Sequence, residues 1–183
     1  MGDIVITEFI TLDGVIEAPA WTVPYQHDEI EAYKKDELFA SDAQLLGRTT
    51  YEMFAAAWPG ATDDAGFADR MNGMPKYVVS TTVTEPTWNA TVISAASEDE
   101  LAAAIVSAKA SVERNLLVGG SARLAEFLIR RGLADELRLL TYPVAVGGGQ
   151  RLFSEGVQAK FELRETRSFP TGVVLTVHRL VTD

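Results

Sequence analysis

Apolar and polar positions alternate along this chain with two periods, and the change of period divides it into strands and helices. Short apolar runs that end at glycine or polar residues are typical of buried strands, whereas apolar residues three or four apart indicate a helix face. Strands are predicted over residues 3–12, 43–46, 74–81, 92–93, 116–118, 136–142, 161–169 and 173–180. Helices are predicted over residues 28–40, from Thr49 or Thr50 as the cap to residue 57, over 97–110 behind a Ser97/Glu100 capping box, and through Leu124 and Leu128.

The order of these elements predicts the architecture. Strands alternate with helices over most of the chain and then follow one another without helices at the end. This pattern predicts a single α/β domain over residues 1–183, a three-layer sandwich whose mixed, mostly parallel sheet carries helices on both faces and ends in an antiparallel hairpin. Ligands of such sheets bind beyond the carboxyl ends of the parallel strands.

Three of those strand ends carry small or polar residues that could hold phosphate. The apolar run before Gly119-Gly120 is followed by a helix, and glycines there allow close approach to bare N–H groups at a helix N-terminus. Gly47-Arg48-Thr49-Thr50 adds a cation and two hydroxyls, and Ser80-Thr81 ends a third strand. Each junction alone also fits a tight turn or a capped helix. The set of three indicates one extended anionic ligand, such as a dinucleotide with a further phosphate.

Composition narrows the function classes. The 183 residues are 47% hydrophobic and carry a net charge of −10, which argues against nucleic acid and anionic membranes as partners. The chain has no cysteine, which excludes thiolate catalysis, and its two histidines, His27 and His178, are too isolated for a metal centre, so no metal is predicted. With neither an export signal nor an apolar run long enough to span a bilayer, the expected location is the cytoplasm.

Several motifs of the chain resemble those of proteins with the dihydrofolate reductase-like fold. The chain is most similar to the branch that contains the C-terminal reductase domain of the riboflavin-biosynthesis deaminase–reductase, the RibD C-terminal domain family. The matching segments occur in family order and are residues 11–16 (TLDGVI), 46–52 (LGRTTYE), 76–81 (KYVVST), 117–121 (LVGGS), 133–137 (LADEL) and 143–153 (PVAVGGGQRLF).

The resemblance implies an NADPH-dependent reductase, in which the coenzyme gives a hydride and the protein aligns the reactants and delivers a proton. It implies that Gly47, Arg48, Thr49 and Thr50 bind the 2′-phosphate and pyrophosphate. Ser80 and Thr81 would flank the adenosine phosphate, and Gly119, Gly120, Ser121 and Ala122 would form the second pyrophosphate junction. The residues expected along the nicotinamide or beside the reacting centre are Phe9, Ile10, Ile16, Glu17 and Thr141.

The proton donor is left open by the sequence. Folate reductases use a carboxylic acid on the first helix, and Glu29 lies roughly at that position. Asp28 or Glu31 could serve instead. A carboxylate at the start of a helix is also common for a structural reason, because it interacts favourably with the helix dipole. Asp13 is the competing candidate, either as a residue that orients substrate or as part of an Asx-turn.

The resemblance suggests a small-molecule substrate of the ribosylaminopyrimidine type, with a C=N or C=O bond as the hydride acceptor. The chain carries no deaminase zinc signature, so it would be a stand-alone relative whose substrate can differ. Dihydrofolate reductase is the enzymatic alternative, and a non-catalytic NADPH-binding sensor is the alternative of another class. The resemblance also implies a homodimer.

Overall fold

The computed structural model of the protein describes residues 1–182. Its strands are β1 Asp3–Thr11, β2 Ser41–Gly47, β3 Lys76–Val79, β4 Ala90–Ile93, β5 Asn115–Val118, β6 Glu136–Tyr142, β7 Lys160–Ser168 and β8 Val174–Val181. Its helices are α1 Asp28–Phe39, α2 Arg48–Ala57, α3 Phe67–Gly73, α4 Glu98–Ala110 and α5 Ala122–Arg130, with a 3₁₀ helix at Pro19–Tyr25.

The strands form one sheet in the order β4-β3-β2-β5-β1-β6-β8-β7. Neighbours from β4 to β6 run parallel, whereas β8 pairs antiparallel with β6 and with β7. The predicted mixed, mostly parallel sheet with a C-terminal antiparallel hairpin is therefore confirmed. The carboxyl ends of β3, β2, β5, β1 and β6 consequently lie along one edge of the sheet.

Helices cover both faces of the sheet because successive strand residues point to opposite sides. On one face, Ile4, Ile6 and Leu116 pack with the apolar sides of α4 and α5, represented by Ile105 and Leu128. On the other face the buried residues come from β1, β5, α1, α3 and the residue that follows α3, and they are Val5, Leu117, Leu38, Met71 and Met74. We refer to these two sides as the α5 face and the α1 face.

The local predictions differ from the structure at a few places. Neither Thr49 nor Thr50 caps α2, because β2 stays extended through Gly47, which is itself the N-cap, and the helix begins at Arg48. Strand β3 covers only Lys76–Val79, shorter than the predicted 74–81. The sequence pattern also missed α3 and the 3₁₀ helix, whose short length leaves little periodicity to detect.

The predicted cap of α4 is confirmed. The Ser97 hydroxyl accepts a hydrogen bond from the Glu100 N–H at 3.2 Å. The Glu100 carboxylate accepts from the N–H of Ala96 at 2.9 Å, one residue earlier than the usual capping box partner.

Among the helices described, none is long and apolar enough to cross a membrane. Within residues 1–182 there is also no group of three or more histidine, aspartate or glutamate side chains that could hold a metal ion.

Candidate functional site

The glycine junctions after β2 and β5 touch each other at the carboxyl edge of the sheet. The N–H of Gly47 donates to the carbonyl oxygen of Gly120 at 3.2 Å. A Cβ atom on Gly47 would lie 2.3 Å from Ser121 Oγ, and one on Gly120 would lie 2.8 Å from Thr50 Oγ1. Each junction thus packs a hydroxyl-bearing residue against the glycine of the other, and side chains at either glycine would push the junctions apart.

Two helices begin at these junctions without a side-chain cap. The N-caps of α2 and α5 are Gly47 and Ser121, and neither makes a side-chain capping hydrogen bond. By contrast, α1 is capped by His27, whose Nδ1 accepts from the Glu29 N–H at 3.2 Å. The first N–H groups of an uncapped helix, together with the positive end of its dipole, form a binding site for an anion.

Gly119 faces open space at the same edge. A Cβ atom on Gly119 would meet no heavy atom within 4 Å, unlike one on Gly47 or Gly120. A ligand that approaches the two uncapped helices can therefore reach the main chain at Gly119, and a side chain there would occupy the same volume.

The third junction follows β3 and lies beside the first, because Val79 of β3 pairs with Gly47 of β2. The Ser80 hydroxyl accepts hydrogen bonds from the N–H groups of Thr82 and Val83, both at 3.1 Å, and so holds a tight turn. Thr81 is exposed beside it. The strand order thus brings all three predicted junctions to adjacent strands.

Arg48 is the cation of the first junction, and it has a partner on its own helix. Its Nη1 donates to both carboxylate oxygens of Glu52, at 3.1 and 2.9 Å, and both side chains are about half exposed. Exposed ion pairs of this kind contribute little stability, so an anionic ligand could compete for the guanidinium. Of the neighbouring threonines, Thr49 is exposed and Thr50 is buried.

Asp13 holds two loops together at the end of β1. Its carboxylate accepts from Thr11 Oγ1 at 2.6 Å and from the N–H groups of Gly147 and Val146 at 2.8 and 3.2 Å. These hydrogen bonds, with that from Thr11 the largest contribution, lower the pKa of Asp13 to about 2. Asp13 is therefore ionised at neutral pH. It suits a hydrogen-bond acceptor that positions the glycine loop, by which we mean residues 146–150, better than it suits a proton donor.

The two neighbours of this turn, Ile16 and Glu17, contact the same glycine-rich segment. The Ile16 N–H donates to the Gln150 carbonyl at 2.9 Å, and Glu17 Oε2 accepts from the Gln150 N–H at 2.9 Å. Residues 13–17 and 146–150 consequently form one connected wall at the end of β1.

Glu29 lies at the start of α1 and points to the outer edge of the sheet. Its carboxylate accepts from Arg167 of β7 at 2.7 Å, and both side chains are nearly half exposed. Glu29 and Asp13 have no hydrogen-bond partner in common, so the structure does not place the two candidate acids in one site.

An aromatic group covers the α1 face where β1 and β6 end. Phe9, Trp21 and Tyr25 each meet Tyr142 edge to face, with ring centroids 5.6, 5.3 and 5.8 Å apart. Thr141 precedes Tyr142 and pairs with Ile10, so its side chain lies on the opposite, α5 face. Phe9 and Thr141, both expected near the reacting centre, therefore flank the sheet edge from different sides.

Sequence reasoning missed a buried charge network beneath this aromatic group. Lys34 of α1 donates to Thr7 Oγ1 at 2.9 Å and forms an ion pair with Glu37, whose side chain is only 1% exposed. Glu37 also accepts from Arg138 Nη1 of β6 at 3.3 Å. No local signal marks these residues, because helical lysines and glutamates are usually solvated.

Glu8 is the second site that sequence reasoning missed, although a charged residue inside the run IVITEFIT is a visible anomaly. Its side chain lies on the α5 face of β1, and its Oε1 is buried without a hydrogen-bond partner. Burial raises the pKa of Glu8 to about 8, against a smaller opposing effect of Lys34. Glu8 is consequently protonated over most of the neutral range.

A groove of about 700 Å³ runs along the outer side of α5 from its first turn. It lies between α5 and the segment that follows the glycine loop. The residues that line it are Ala122, Arg123, Glu126, Gln150, Arg151, Phe153, Ser154 and Glu155.

Comparison with known proteins agrees with this architecture. The family model for the RibD C-terminal domain matches residues 3–175. Among curated proteins, YyaP of Bacillus subtilis (strain 168), whose name describes it as uncharacterized, is 28% identical over 180 residues, covering 96% of this chain and 93% of its own.

Solved structures give the same fold at low sequence identity. A Shewanella sp. PV-4 protein, provisionally named for riboflavin biosynthesis, has a TM-score of 0.71 at 18% identity, covering 98% of this chain and 99% of its own. A pyrimidine reductase-like protein of Corynebacterium diphtheriae has a TM-score of 0.73 at 12% identity, with coverages of 100% and 93%. Dihydrofolate reductase of Enterococcus faecalis, solved with NADP(H), has a TM-score of 0.65 at 14% identity, with coverages of 98% and 96%. The chain therefore has the dihydrofolate reductase-like fold.

Proposed function

The chain belongs to the RibD C-terminal domain family, a family of reductases, and on that premise we propose that it is an NADPH-dependent reductase of the riboflavin-biosynthesis type. The proposed substrate is a small heterocyclic or sugar-linked molecule with a C=N or C=O bond that accepts hydride, such as 5-amino-6-(5-phosphoribosylamino)uracil. The single observation that carries the proposal is the pair of uncapped helix N-termini at contacting glycine junctions.

The residues at the carboxyl edge fit a phosphorylated coenzyme. Uncapped N–H groups of α2 and α5 would bind the pyrophosphate, and the open backbone at Gly119 would allow its close approach. Arg48, released from Glu52, would bind the 2′-phosphate as a charged fork. NADPH, when bound, supplies the hydride.

The remaining residues would shape and align the reacting centre. The wall of residues 13–17 and 146–150, held by Asp13 and Glu17, would enclose the nicotinamide end. Phe9 on the α1 face would lie beside the substrate. The proton would come from water, or from Glu29 once it is released from its ion pair with Arg167, since Asp13 is ionised at neutral pH. A homodimer and a cytoplasmic location stay predictions.

The proposal is tested by following the loss of nicotinamide absorbance in stopped flow, with 5-amino-6-(5-phosphoribosylamino)uracil and with dihydrofolate. Oxidation of NADPH with the uracil compound is the expected result. Oxidation only with dihydrofolate would assign the chain to the folate reductases. Tight NADPH binding without oxidation by either compound would favour the sensor, and no binding of NADPH would refute the proposal.

Arg48→Ala tests the choice of coenzyme. We expect NADPH affinity to fall by about tenfold or more, because a charge-assisted bond to the 2′-phosphate is lost, and NADH affinity to change less than about twofold. Calorimetric titration of both coenzymes measures the effect. Glu52→Gln is the matched control, since it removes the competing carboxylate and should leave or strengthen NADPH binding. Equal losses for NADPH and NADH would refute the role of Arg48.

A further inference from the structure

We propose that the ammonium group of Lys34 binds a carbonyl oxygen of a planar heterocyclic substrate on the α1 face. The proposal deepens the function above and rests on it. It assigns a substrate-binding cation to a position that neither the sequence motifs nor the strand-end glycines indicate.

Lys34 lies at the border between the buried network and the aromatic group. Its Nζ is 2.9 Å from Thr7 Oγ1 and 5.4 Å from the centroid of the Phe9 ring, and its side chain is 21% exposed. Thr7 and Phe9 are successive residues of β1 on the α1 face, with Phe9 nearer the carboxyl edge. The charge is therefore held next to the ring that the proposed function places beside the substrate.

One of the three N–H groups of the Lys34 ammonium is available to a ligand. An ammonium group has three N–H donors, and the Lys34 ammonium contacts Thr7 Oγ1 and Glu37 Oε2. Within residues 1–182, no third acceptor contacts it. The remaining N–H can therefore bond to an oxygen of a ligand that packs on Phe9.

The network fixes the position of this donor. Glu37 is buried and accepts from three side chains, which come from Lys34, from Tyr33 at 3.5 Å and from Arg138 at 3.3 Å. Tyr33 and Lys34 belong to α1 and Arg138 to β6, so both the helix and the sheet hold the carboxylate in place. A flexible lysine held in this way loses less entropy when it binds a ligand.

The chemistry of the surroundings selects the ligand class. The rings of Phe9 and Trp21, which pack on the buried Tyr142 and are themselves only partly buried, offer aromatic surface for a flat ring system. Beside them, an ammonium N–H prefers a carbonyl or anionic oxygen to an amino group, because the amino group presents hydrogen atoms. A planar ring with a carbonyl next to the reacting bond satisfies both requirements.

The experiment measures probe binding to the full chain by calorimetry, with and without NADPH. The probes are 6-aminouracil and 2,4,6-triaminopyrimidine, which share the pyrimidine skeleton, the second with amino groups where the first has carbonyl groups. The titrations are run at a pH at which the more basic triaminopyrimidine is uncharged. We expect the wild type to prefer 6-aminouracil by about tenfold or more, since the hydrogen bond to Lys34 is charged. Lys34→Met should abolish that preference.

Lys35→Met is the matched control, because Lys35 is the next residue of α1 and its ammonium lies over Phe39 instead. It should keep the wild-type preference. If Lys34→Met fails to fold, the double variant Lys34→Met/Glu37→Gln removes the buried carboxylate that the first change leaves with fewer partners, and it should likewise show no preference.

Equal affinity of the wild type for the two probes would overturn the proposal, as would an unchanged preference in either Lys34 variant or its loss in Lys35→Met. NADPH titrations of the same proteins separate the two claims. A chain that shows the Lys34-dependent preference without binding NADPH refutes the coenzyme assignment alone, whereas NADPH binding without the preference refutes the role of Lys34 alone.

Discussion

At the scale of single residues, Asp13 illustrates how a carboxylate can serve a site without donating a proton. It accepts hydrogen bonds from Thr11, Val146 and Gly147, and these bring the end of β1 and the glycine loop together. The bonds stabilise the ionised form, so the energy of loop docking depends on the ionisation of one residue.

This dependence predicts an acid-sensitive loop. Because the pKa of Asp13 falls from its ordinary 3.8 to about 2 on folding, its contribution to stability is present above the ordinary value and is lost as pH falls from about 4 to 2. Asp13→Asn should lower the unfolding free energy at neutral pH and make its decline over that range shallower. Urea denaturation across the pH range measures both effects.

The control for this prediction is Asp64→Asn, which changes an exposed aspartate in the loop before α3. It should leave the wild-type pH dependence intact. Equal slopes for wild type and Asp13→Asn below pH 4 would contradict the assigned role of Asp13.

The residues of the site differ in how far the sequence could predict them. Gly47, Gly120 and Ser121 are marked by local pattern, because each follows a buried strand and precedes a helix. The partner of Glu29 is not, since Arg167 lies on a strand far along the chain. The bond of Lys34 to Thr7 likewise depends on how α1 packs on β1, which no local spacing encodes.

At the scale of elements, β1 carries a destabilising group in its centre. Glu8 stands among apolar residues of the α5 face with one oxygen that lacks a partner. Burial of the charged form is unfavourable, so the folded protein keeps Glu8 protonated over a range in which the unfolded chain ionises it.

The strand is therefore expected to weaken as pH rises. The pKa of Glu8 increases on folding from 4.5 to about 8, and between these values the folded state binds the extra proton, so stability decreases with increasing pH. Glu8→Gln removes this dependence and should raise the unfolding free energy at pH 8 relative to wild type by on the order of a few kcal/mol. Urea midpoints at pH 5 and pH 8 measure the change.

Glu85→Gln serves as the control, because Glu85 is exposed in the segment before β4. It should show the wild-type difference between the two pH values. A wild-type protein that is as stable at pH 8 as at pH 5 would contradict the burial of a titrating Glu8.

The helices show why local signals give uneven results. The Ser97 and Glu100 pair predicts the start of α4 correctly, because a hydroxyl three residues before a glutamate commonly forms a capping box at a helix N-terminus. Thr49 and Thr50 have the same chemistry but lie inside α2, because the preceding strand continues to Gly47. The tertiary pairing of β2 with β3 and β5 decides that start, and sequence pattern does not contain it.

At the scale of the whole molecule, the order in which strand-like and helix-like segments follow one another predicts the type of sheet. Alternating strands and helices followed by two strands led to a mostly parallel sheet with an antiparallel edge, as found. The position of β5 between β1 and β2, which brings the two glycine junctions into contact, could not be derived from the order of elements. It depends on which apolar faces pack together.

The predicted homodimer is also a property of the whole molecule. Light scattering of the purified chain should give twice the chain mass of 19.9 kDa. A mass equal to that of one chain, independent of concentration, would contradict the prediction.

The central claim is that the bare main chain at the ends of β2 and β5 binds a phosphorylated nicotinamide coenzyme. Gly119→Val tests it, because a Cβ atom there would meet no heavy atom within 4 Å and the side chain would obstruct a ligand. Gly73→Val is the control, since a Cβ atom at the end of α3 likewise meets no heavy atom within 4 Å. Calorimetric titration with NADPH should show binding to wild type and to Gly73→Val, and at least about tenfold weaker binding to Gly119→Val at an unchanged melting temperature. Wild-type protein that does not bind NADPH, or Gly119→Val that binds it as tightly as wild type, would contradict the claim.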